Sequence, residues 1–370
     1  MKKVLFVFGT RPEAIKMAPM IKELQARPDK FEVTVCVTGQ HKEMLYQVLD
    51  FFSIKPDYDL EVMKPNQTLF GVTAAIFGGI EPVLDEVKPD VVLVQGDTTS
   101  VLAGAIGAFY KQTKVGHLEA GLRSGDMYSP FPEEMNRVLV SRITDYHFAP
   151  TKRSTDALKH EGVDENKVFE VGNTVIDALL LGLDIVQKDN HIYEQHFKDI
   201  DFSKKVILVT GHRRESFGQG FDSMCNAVKR IAEENGDVEI VYPVHLNPNV
   251  RKPVNEILSN IPNVHLIEPL DYPYLIWLMH KTYLVLTDSG GIQEEAPTLG
   301  KPVLVMRDVT ERQEGIEAGT AMLVGTDGTV IYTETQKLLD NKELYDKMAN
   351  AVNPYGDGTT ARQIADILEN

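Results

Sequence analysis

Residues 4–19, VLFVFGTRPEAIKMAP, run from an unbroken apolar stretch through a glycine into a charged, helix-competent segment. A run without polar alternation suits a strand covered on both faces, as in a parallel sheet. Gly9 closes it. Pro12 then stands where a helix begins, because the first turn has no use for the amide proton that proline lacks. Strand, tight turn and helix in that order open a parallel α/β unit. Arg11 and Lys16 fall near the positive end of that helix, where an anion is favoured, although Lys16 taken alone suits a solvated helix face equally well.

The alternation continues along the chain. Apolar runs at 32–39, 91–97, 114–121, 146–150 and 168–173 complete a first set. A helical and polar stretch follows, and a second set occupies 206–212, 238–245, 264–270, 284–291, 302–306 and 321–325. At 370 residues the chain exceeds what one core usually supports. Two doubly wound α/β domains are expected, with a boundary between residues 170 and 200.

Composition narrows the partners. A net charge of −16 argues against nucleic acid or an anionic membrane surface. No segment approaches the roughly 20 apolar residues of a membrane span, and the short N-terminal apolar run leads straight into charges, unlike a signal peptide. Cys36 and Cys225 are the two cysteines, and without CxxC spacing they suggest neither a disulfide framework nor a zinc site. A reducing, cytoplasmic setting fits. The first strand of neither half leads into GxGxxG, and GxxxxGK is missing, so NAD-dependent hydride transfer and phosphoryl transfer from ATP are both disfavoured.

Chemistry gathers where the runs end. Thr10 and Arg11, Gln40 and His41, Asp97, Glu119, His212, His245, and Asp288 with Ser289 all follow apolar runs. Ligands of open parallel sheets bind outside the carboxyl ends of the strands, so two facing rims with a cleft between them are expected. In LTDSGGIQEEA, Ser289, Gly290 and Gly291 offer a hydroxyl and unobstructed amides before a helix, either a phosphate cradle or a plain glycine turn. TGHRRESFG adds His212, Arg213 and Arg214, the arginines with fork-like donors suited to phosphate. The stretch GHLEAGLRSGDMYSPFPEEMNR (116–137) carries Glu119, Asp126, Glu133 and Glu134 among Arg123 and Arg137. Asp97, Glu119 and Glu133 come from two strand ends and the following loop, close enough in the chain to surround one ligand. Clustered carboxylates raise one another's pKa, so one can be protonated while another is ionised.

Taken together, FGTRPEAIKMAP, TGQHKEML, VQGDTTS, HLEAGLRSGD, PFPEEMNR, VGNTVIDAL, TGHRRESFG, YPVHLNPNVR and LTDSGGIQEEAPTLGKPVLVMRDVTERQEG resemble the non-hydrolysing UDP-N-acetylglucosamine 2-epimerases of bacteria over residues 8 to about 315. The resemblance implies a GT-B arrangement of two Rossmann-like domains and a homodimer. It sets the first domain at 1–169 with a returning C-terminal helix at 353–370, and the UDP-binding second domain at 170–352. It implies reversible epimerisation at carbon 2 of UDP-N-acetylglucosamine without NAD or metal, by elimination of UDP to 2-acetamidoglucal and re-addition, in the service of surface polysaccharide synthesis. Lys16, Asp97, Glu119, Glu133 and His212 would form the catalytic set. Arg11 and the Ser289–Gly291 turn would hold the diphosphate, Arg312 the sugar or phosphate, Glu295 the ribose, and Leu270 to Leu275 the uracil. Gln40, His41, Gln67, Arg213 and His245 match positions that bind a second UDP-N-acetylglucosamine as activator, although Asn66 and Glu43 stand where some members have Arg and Gln. The threonines of GDTTS separate the chain from hydrolysing relatives. Relatives acting on diacetamido-uronate nucleotides differ around LRSGD. A GT-B glycosyltransferase or a non-catalytic sugar-nucleotide binder leaves the carboxylates of the first half without a purpose.

Overall fold

A computed structural model describes the whole chain except residues 40, 41, 65 and 66. Seven parallel strands build the first sheet: β1 (Lys2–Phe8), β2 (Phe31–Val37), β3 (Tyr58–Asp59), β4 (Val91–Gln95), β5 (Lys114–Leu118), β6 (Tyr146–Ala149) and β7 (Val168–Glu170), in the order β3-β2-β1-β4-β5-β6-β7. Six more build the second: β8 (Lys205–Thr210), β9 (Val238–Pro243), β10 (Val264–Ile267), β11 (Leu284–Thr287), β12 (Val303–Val305) and β13 (Ala321–Leu323), in the order β10-β9-β8-β11-β12-β13. Every apolar run picked out in the sequence contains a strand. The two-residue β3, paired through Cys36 and Tyr58, is too short to leave a pattern in the sequence.

The strand order reverses between β1 and β4 in one sheet and between β8 and β11 in the other. These are the switch points where open α/β sheets bind ligands. Val4 to Phe8 are wholly buried, as a central strand demands. The helix Arg11–Gln25 turns Ala14, Met17, Ala18, Ile21 and Leu24 inward, the 3–4 spacing of one helical face. Pro12 sits in its first turn, with Thr10 as the N-cap.

The chain forms two compact units, Met1–Leu180 with Tyr355–Asn370, and Leu181–Pro354. The division falls later than the 169/170 boundary expected from sequence, because Val175 and Ile176 of the helix Thr174–Lys188 pack with Tyr355 in the first unit. The returning helix Thr360–Glu369 is fixed to that unit as well. Ala361 N–H donates to Asp177 at 2.8 Å, and Arg27 and Lys30 pair with Asp366 and Glu369 at 2.6 Å each. Each unit is Rossmann-like, the pair of sheets of the GT-B class. No described helix is long and apolar enough to cross a membrane.

Candidate active site

In the first unit the ends of β4 and β5 carry two carboxylates, and each is held by a cation. Asp97 receives Arg137 Nε at 2.9 Å and Nη2 at 2.6 Å on one oxygen. Lys16 Nζ lies 2.5 Å from Glu119 Oε1, Asn173 Nδ2 donates to the same oxygen at 3.2 Å, and Gln95 donates to Oε2. The Glu119 side chain is 8% exposed, so its charge is balanced by donors rather than by water. Its backbone has φ +63°, a conformation that costs a side-chain-bearing residue about 1–3 kcal/mol and persists where the surroundings enforce it. Each of these two carboxylates, expected from the sequence to gather here, is thus met by a cation.

The turn before Asp97 is equally fixed. Gly96, at φ +82°, offers its carbonyl to His117 Nε2 at 2.7 Å. A carbonyl only accepts, so Nε2 carries the proton; burial pulls the His117 pKa down to about 4 and keeps the ring neutral. The Asp97 carbonyl accepts Asn136 Nδ2 at 2.7 Å. Asn136 and Arg137 belong to the helix Glu133–Ile143, one turn beyond Glu133, so the three share a face. Glu133 keeps a buried carboxylate oxygen, Oε2, without a hydrogen-bond partner among the described residues.

The remaining charges of 116–137 are structural. Glu134, 2% exposed, ties Gly125 N–H at 3.0 Å to Arg137 at 3.1 Å. Arg123 forks onto Glu161 at 2.6 and 3.0 Å, and Asp126 accepts the Tyr128 amide in an exposed turn. Arg11 has no hydrogen-bond or ion-pair partner among the described residues, leaving its guanidinium open to an anion.

The second unit is built around Asp288, which is fully buried. Its Oδ2 accepts the backbone amides of His212 at 2.6 Å and Arg213 at 2.7 Å, joining the ends of β8 and β11. Its Oδ1 lies 3.4 Å from His212 Nδ1, which points the other ring nitrogen away from the carboxylate. Burial lowers the His212 pKa and Asp288 opposes that shift. The ring stacks on His245, centroids 5.2 Å apart, and His245 Nδ1 accepts the Asn247 amide at 3.1 Å. Ser289 caps the short helix Gly290–Glu295. A Cβ on Gly290 would lie 3.4 Å from the guanidinium carbon of Arg312, so the bare glycine lets Arg312 rest on this turn while Glu294 holds its Nε at 2.7 Å. Glu295 accepts the Tyr272 hydroxyl at 2.8 Å, which brings the half-buried Leu270 and Leu275 segment beside it. Arg213 has a buried Nε without a hydrogen-bond partner. Gln67 lies in the first unit, accepting the Lys64 amide at 3.2 Å; Gln40, His41 and Asn66 fall outside the described residues.

The structure thus gathers Lys16, Asp97 and Glu119 at one set of strand ends. His212, Arg213, His245, Ser289, Gly290 and Arg312 gather at the other. Sequence reasoning passed over Gln95, His117, Asn136, Arg137 and Asn173 as site residues. A signal existed for some: Gln95 is a polar end to a buried run, and Glu133, Asn136 and Arg137 have helical spacing. Among the described residues no cluster of three or more His, Cys, Asp or Glu is arranged to hold a metal.

The UDP-N-acetylglucosamine 2-epimerase family profile matches residues 22–369. The Escherichia coli K12 UDP-N-acetylglucosamine 2-epimerase is 56% identical over 371 aligned positions, covering 100% of this chain and 98% of that protein. The Neisseria meningitidis UDP-GlcNAc 2-epimerase, solved bound to UDP-GlcNAc, superposes with TM-score 0.90 at 50% identity, over 100% of both chains. The Methanocaldococcus jannaschii UDP-GlcNAc 2-epimerase, solved with UDP-GlcNAc and UDP, gives TM-score 0.79 at 35% identity over 100% of this chain and 99% of that one. Similarity of this depth along the full length, on a matching pair of parallel sheets, means that the chain belongs to the UDP-N-acetylglucosamine 2-epimerase family and is an isomerase.

Proposed function

We propose that the chain interconverts UDP-N-acetylglucosamine and UDP-N-acetylmannosamine without releasing the sugar as a hydrolysis product. The hydrogen on carbon 2 is not acidic, since no carbonyl adjoins it. Elimination avoids the difficulty. A base takes that proton, the C2–H electron pair forms the C1=C2 double bond, and UDP leaves carbon 1 with the C–O pair. Returning a proton to the other face of carbon 2 and re-adding UDP at carbon 1 gives the epimer.

The observation that carries this reading is the pair of cation-clamped carboxylates, Asp97 with Arg137 and Glu119 with Lys16, on adjacent strand ends. An ionised carboxylate can accept a proton, and Lys16 can balance the charge change on Glu119. Glu133, with its unpartnered oxygen, is a third candidate for proton traffic. General acid–base help of this kind is worth about 10²- to 10⁴-fold. For the leaving diphosphate we assign Arg11, His212 and the Ser289–Gly291 turn, with Arg312 beside it, Glu295 on the ribose and Leu270 to Leu275 on the uracil. Preorganised donors aimed at developing charge are often the larger catalytic contribution. NAD has no part in the scheme, because nothing is oxidised.

The same reading covers assembly and setting. A homodimer interface is assigned to the helices Leu69–Val87 and Thr99–Tyr110, where Phe70, Phe109 and Tyr110 are 89%, 56% and 73% exposed and where Phe77, Leu84, Tyr110, Glu81 and Lys111 line a groove of about 280 Å³. Large aromatic side chains left this exposed are common at sites where another protein surface docks. Gln40, His41, Gln67, Arg213 and His245 are assigned to a second, activating UDP-N-acetylglucosamine. The enzyme would act in the cytoplasm and supply surface polysaccharide synthesis.

Incubation with UDP-N-acetylglucosamine in D₂O, with EDTA and without NAD, tests the chemistry by NMR. Both epimers should gain deuterium at carbon 2 while remaining linked to UDP. Retention of the original hydrogen, or accumulation of free N-acetylmannosamine in step with UDP, overturns the reading.

A further inference from the structure

Glu13 stands in the first turn of the helix Arg11–Gln25, where an acidic residue usually faces solvent beside the helix dipole. Here it is 2% exposed and has no cationic partner among the described residues. Oε2 accepts the amides of Gly9 at 2.8 Å and Thr10 at 2.7 Å. Oε1 accepts the hydroxyl of Thr98 at 2.5 Å. That hydroxyl also accepts the Val101 amide at 3.4 Å as N-cap of the helix Thr99–Tyr110, so its single proton is committed to Glu13. The polarity is consistent throughout: every group around the carboxylate donates to it.

The surroundings show how closely the strand ends meet. Thr38, after β2, and Ser100 share a hydrogen bond at 2.8 Å, and both are fully buried. A Cβ on Gly9 would lie 1.9 Å from Thr38 Oγ1 and 2.7 Å from Ser100 Oγ. No side chain fits there. One carboxylate therefore fastens the turn that carries Arg11 to the turn that carries Asp97, their residues being neighbours of its hydrogen-bond partners. Burial raises the Glu13 pKa, a sign of how costly an uncompensated charge is at this position. A neutral cap would serve the helix at smaller cost, so helix capping alone does not account for the arrangement.

We infer that Glu13 and Thr98 form a clasp that positions Asp97 and Arg11 for the reaction, each acting through the turn it holds rather than on the substrate. The inference rests on the function proposed above. It gives Thr98, within GDTTS, a physical role, since its hydroxyl is the link between two strand ends.

Thr98→Val removes the hydroxyl at nearly constant volume, Thr98→Ser keeps it, and Glu13→Gln keeps the shape but removes the charge and one of the two acceptor oxygens. With the wild type shown to epimerise, Thr98→Val should lose about 10- to 100-fold in kcat, the scale of a misplacement of about 1 Å at a reacting group, while KM changes by less than about threefold. Thr98→Ser should restore most of kcat. Glu13→Gln in the Thr98→Val background should cost little more than Thr98→Val alone, because both remove one link. Near-wild-type kcat in Thr98→Val, or equal impairment of the serine and valine variants, overturns the clasp. So does a double variant whose losses simply multiply. Should Thr98→Val fail to fold, Thr98→Ala, which also removes the hydroxyl, decides by the same split of kcat from KM: a fall in kcat at preserved KM supports the clasp, and a wild-type kcat overturns it. A wild type without epimerase activity removes the proposed function instead, an outcome distinct from all of these.

Discussion

The carboxyl ends of the two sheets use buried carboxylates in opposite ways. In the first unit Asp97 and Glu119 sit on the strand ends themselves, each neutralised by a side-chain cation. In the second, Asp288 is buried beneath the strand ends and bound to the backbone amides of His212 and Arg213, so that the exposed His212 ring stands in front while the acid stays behind. The first arrangement suits groups that exchange a proton, since a neighbouring lysine or arginine stabilises the ionised state. The second suits holding an anion, since the acid orients donors without meeting the ligand. One fold, used twice, sets cation-paired carboxylates at one group of strand ends and an amide-bound acid behind a histidine at the other, the two sets to which the proposed function assigns proton handling and anion holding.

The difference is broken most sharply by neutralising the first set. Asp97→Asn and Glu119→Gln preserve size but end proton exchange, and turnover should fall about 10²-fold or more, with UDP affinity by titration calorimetry near wild type. Glu119→Gln has a second consequence: Lys16, Asn173 and Gln95 all donate to this group, so the amide NH₂ must face one of them. Folding is to be checked by thermal melt. If both variants turn over at the wild-type rate, the clamped carboxylates are structural and the contrast between the units loses its chemical meaning.

The second set should respond differently. His212→Asn weakens support for charge that builds on the departing diphosphate, so kcat for epimerisation and the rate of glucal formation should fall together. Arg11→Ala, though in the first unit, removes an open cation. Its effect should appear as UDP affinity reduced about 10- to 100-fold, the range of a hydrogen bond to a charged group. Calorimetry beside steady-state kinetics separates the two. An Arg11→Ala enzyme with unchanged UDP affinity and lowered kcat would move Arg11 into the proton-handling group.

These contrasts were unevenly legible in the sequence. The strands could be read because a central parallel strand must be apolar on both faces, and residues such as Asp97 and Glu119 stood out as the polar ends of such runs. What the side chains do there could not be read. Asp288 and Glu119 look alike as acids after a strand, yet one is turned inward onto amides and the other is ringed by donors at φ +63°. Glu13 reads as an ordinary first-turn acid; that it is buried and accepts the hydroxyl of Thr98, far along the chain, is visible only in the fold. Arg137 shares a helical face with Glu133 by spacing alone, but spacing does not say that this face meets β4. Pairings across the sheet are tertiary facts, set by which helix packs on which strand end.

The histidines extend the comparison and give its mildest test. In the second unit His212 and His245 stack at the strand ends, and both are exposed. In the first, His117 and His147 face each other across β5 and β6 in the interior, at 1% and 0% exposure. Burial pulls the His147 pKa down to about 3, with His117, Lys167 and Arg123 adding to the shift. A folded-state pKa below the ordinary value of 6.5 means that the unfolded chain binds more protons whenever the pH is below that value. The stability that neutral His147 contributes is therefore whole above pH 6.5 and is lost as the pH falls towards 3. Between pH 7 and pH 5 this one residue should cost about 2 kcal/mol. His147→Leu removes the titration at similar volume, so its urea midpoint should fall less over that interval than the wild type's, whatever its starting stability. Equal losses in the two proteins would show that His147 finds a way to charge inside the fold, and the contrast between interior and strand-end histidines would then fail.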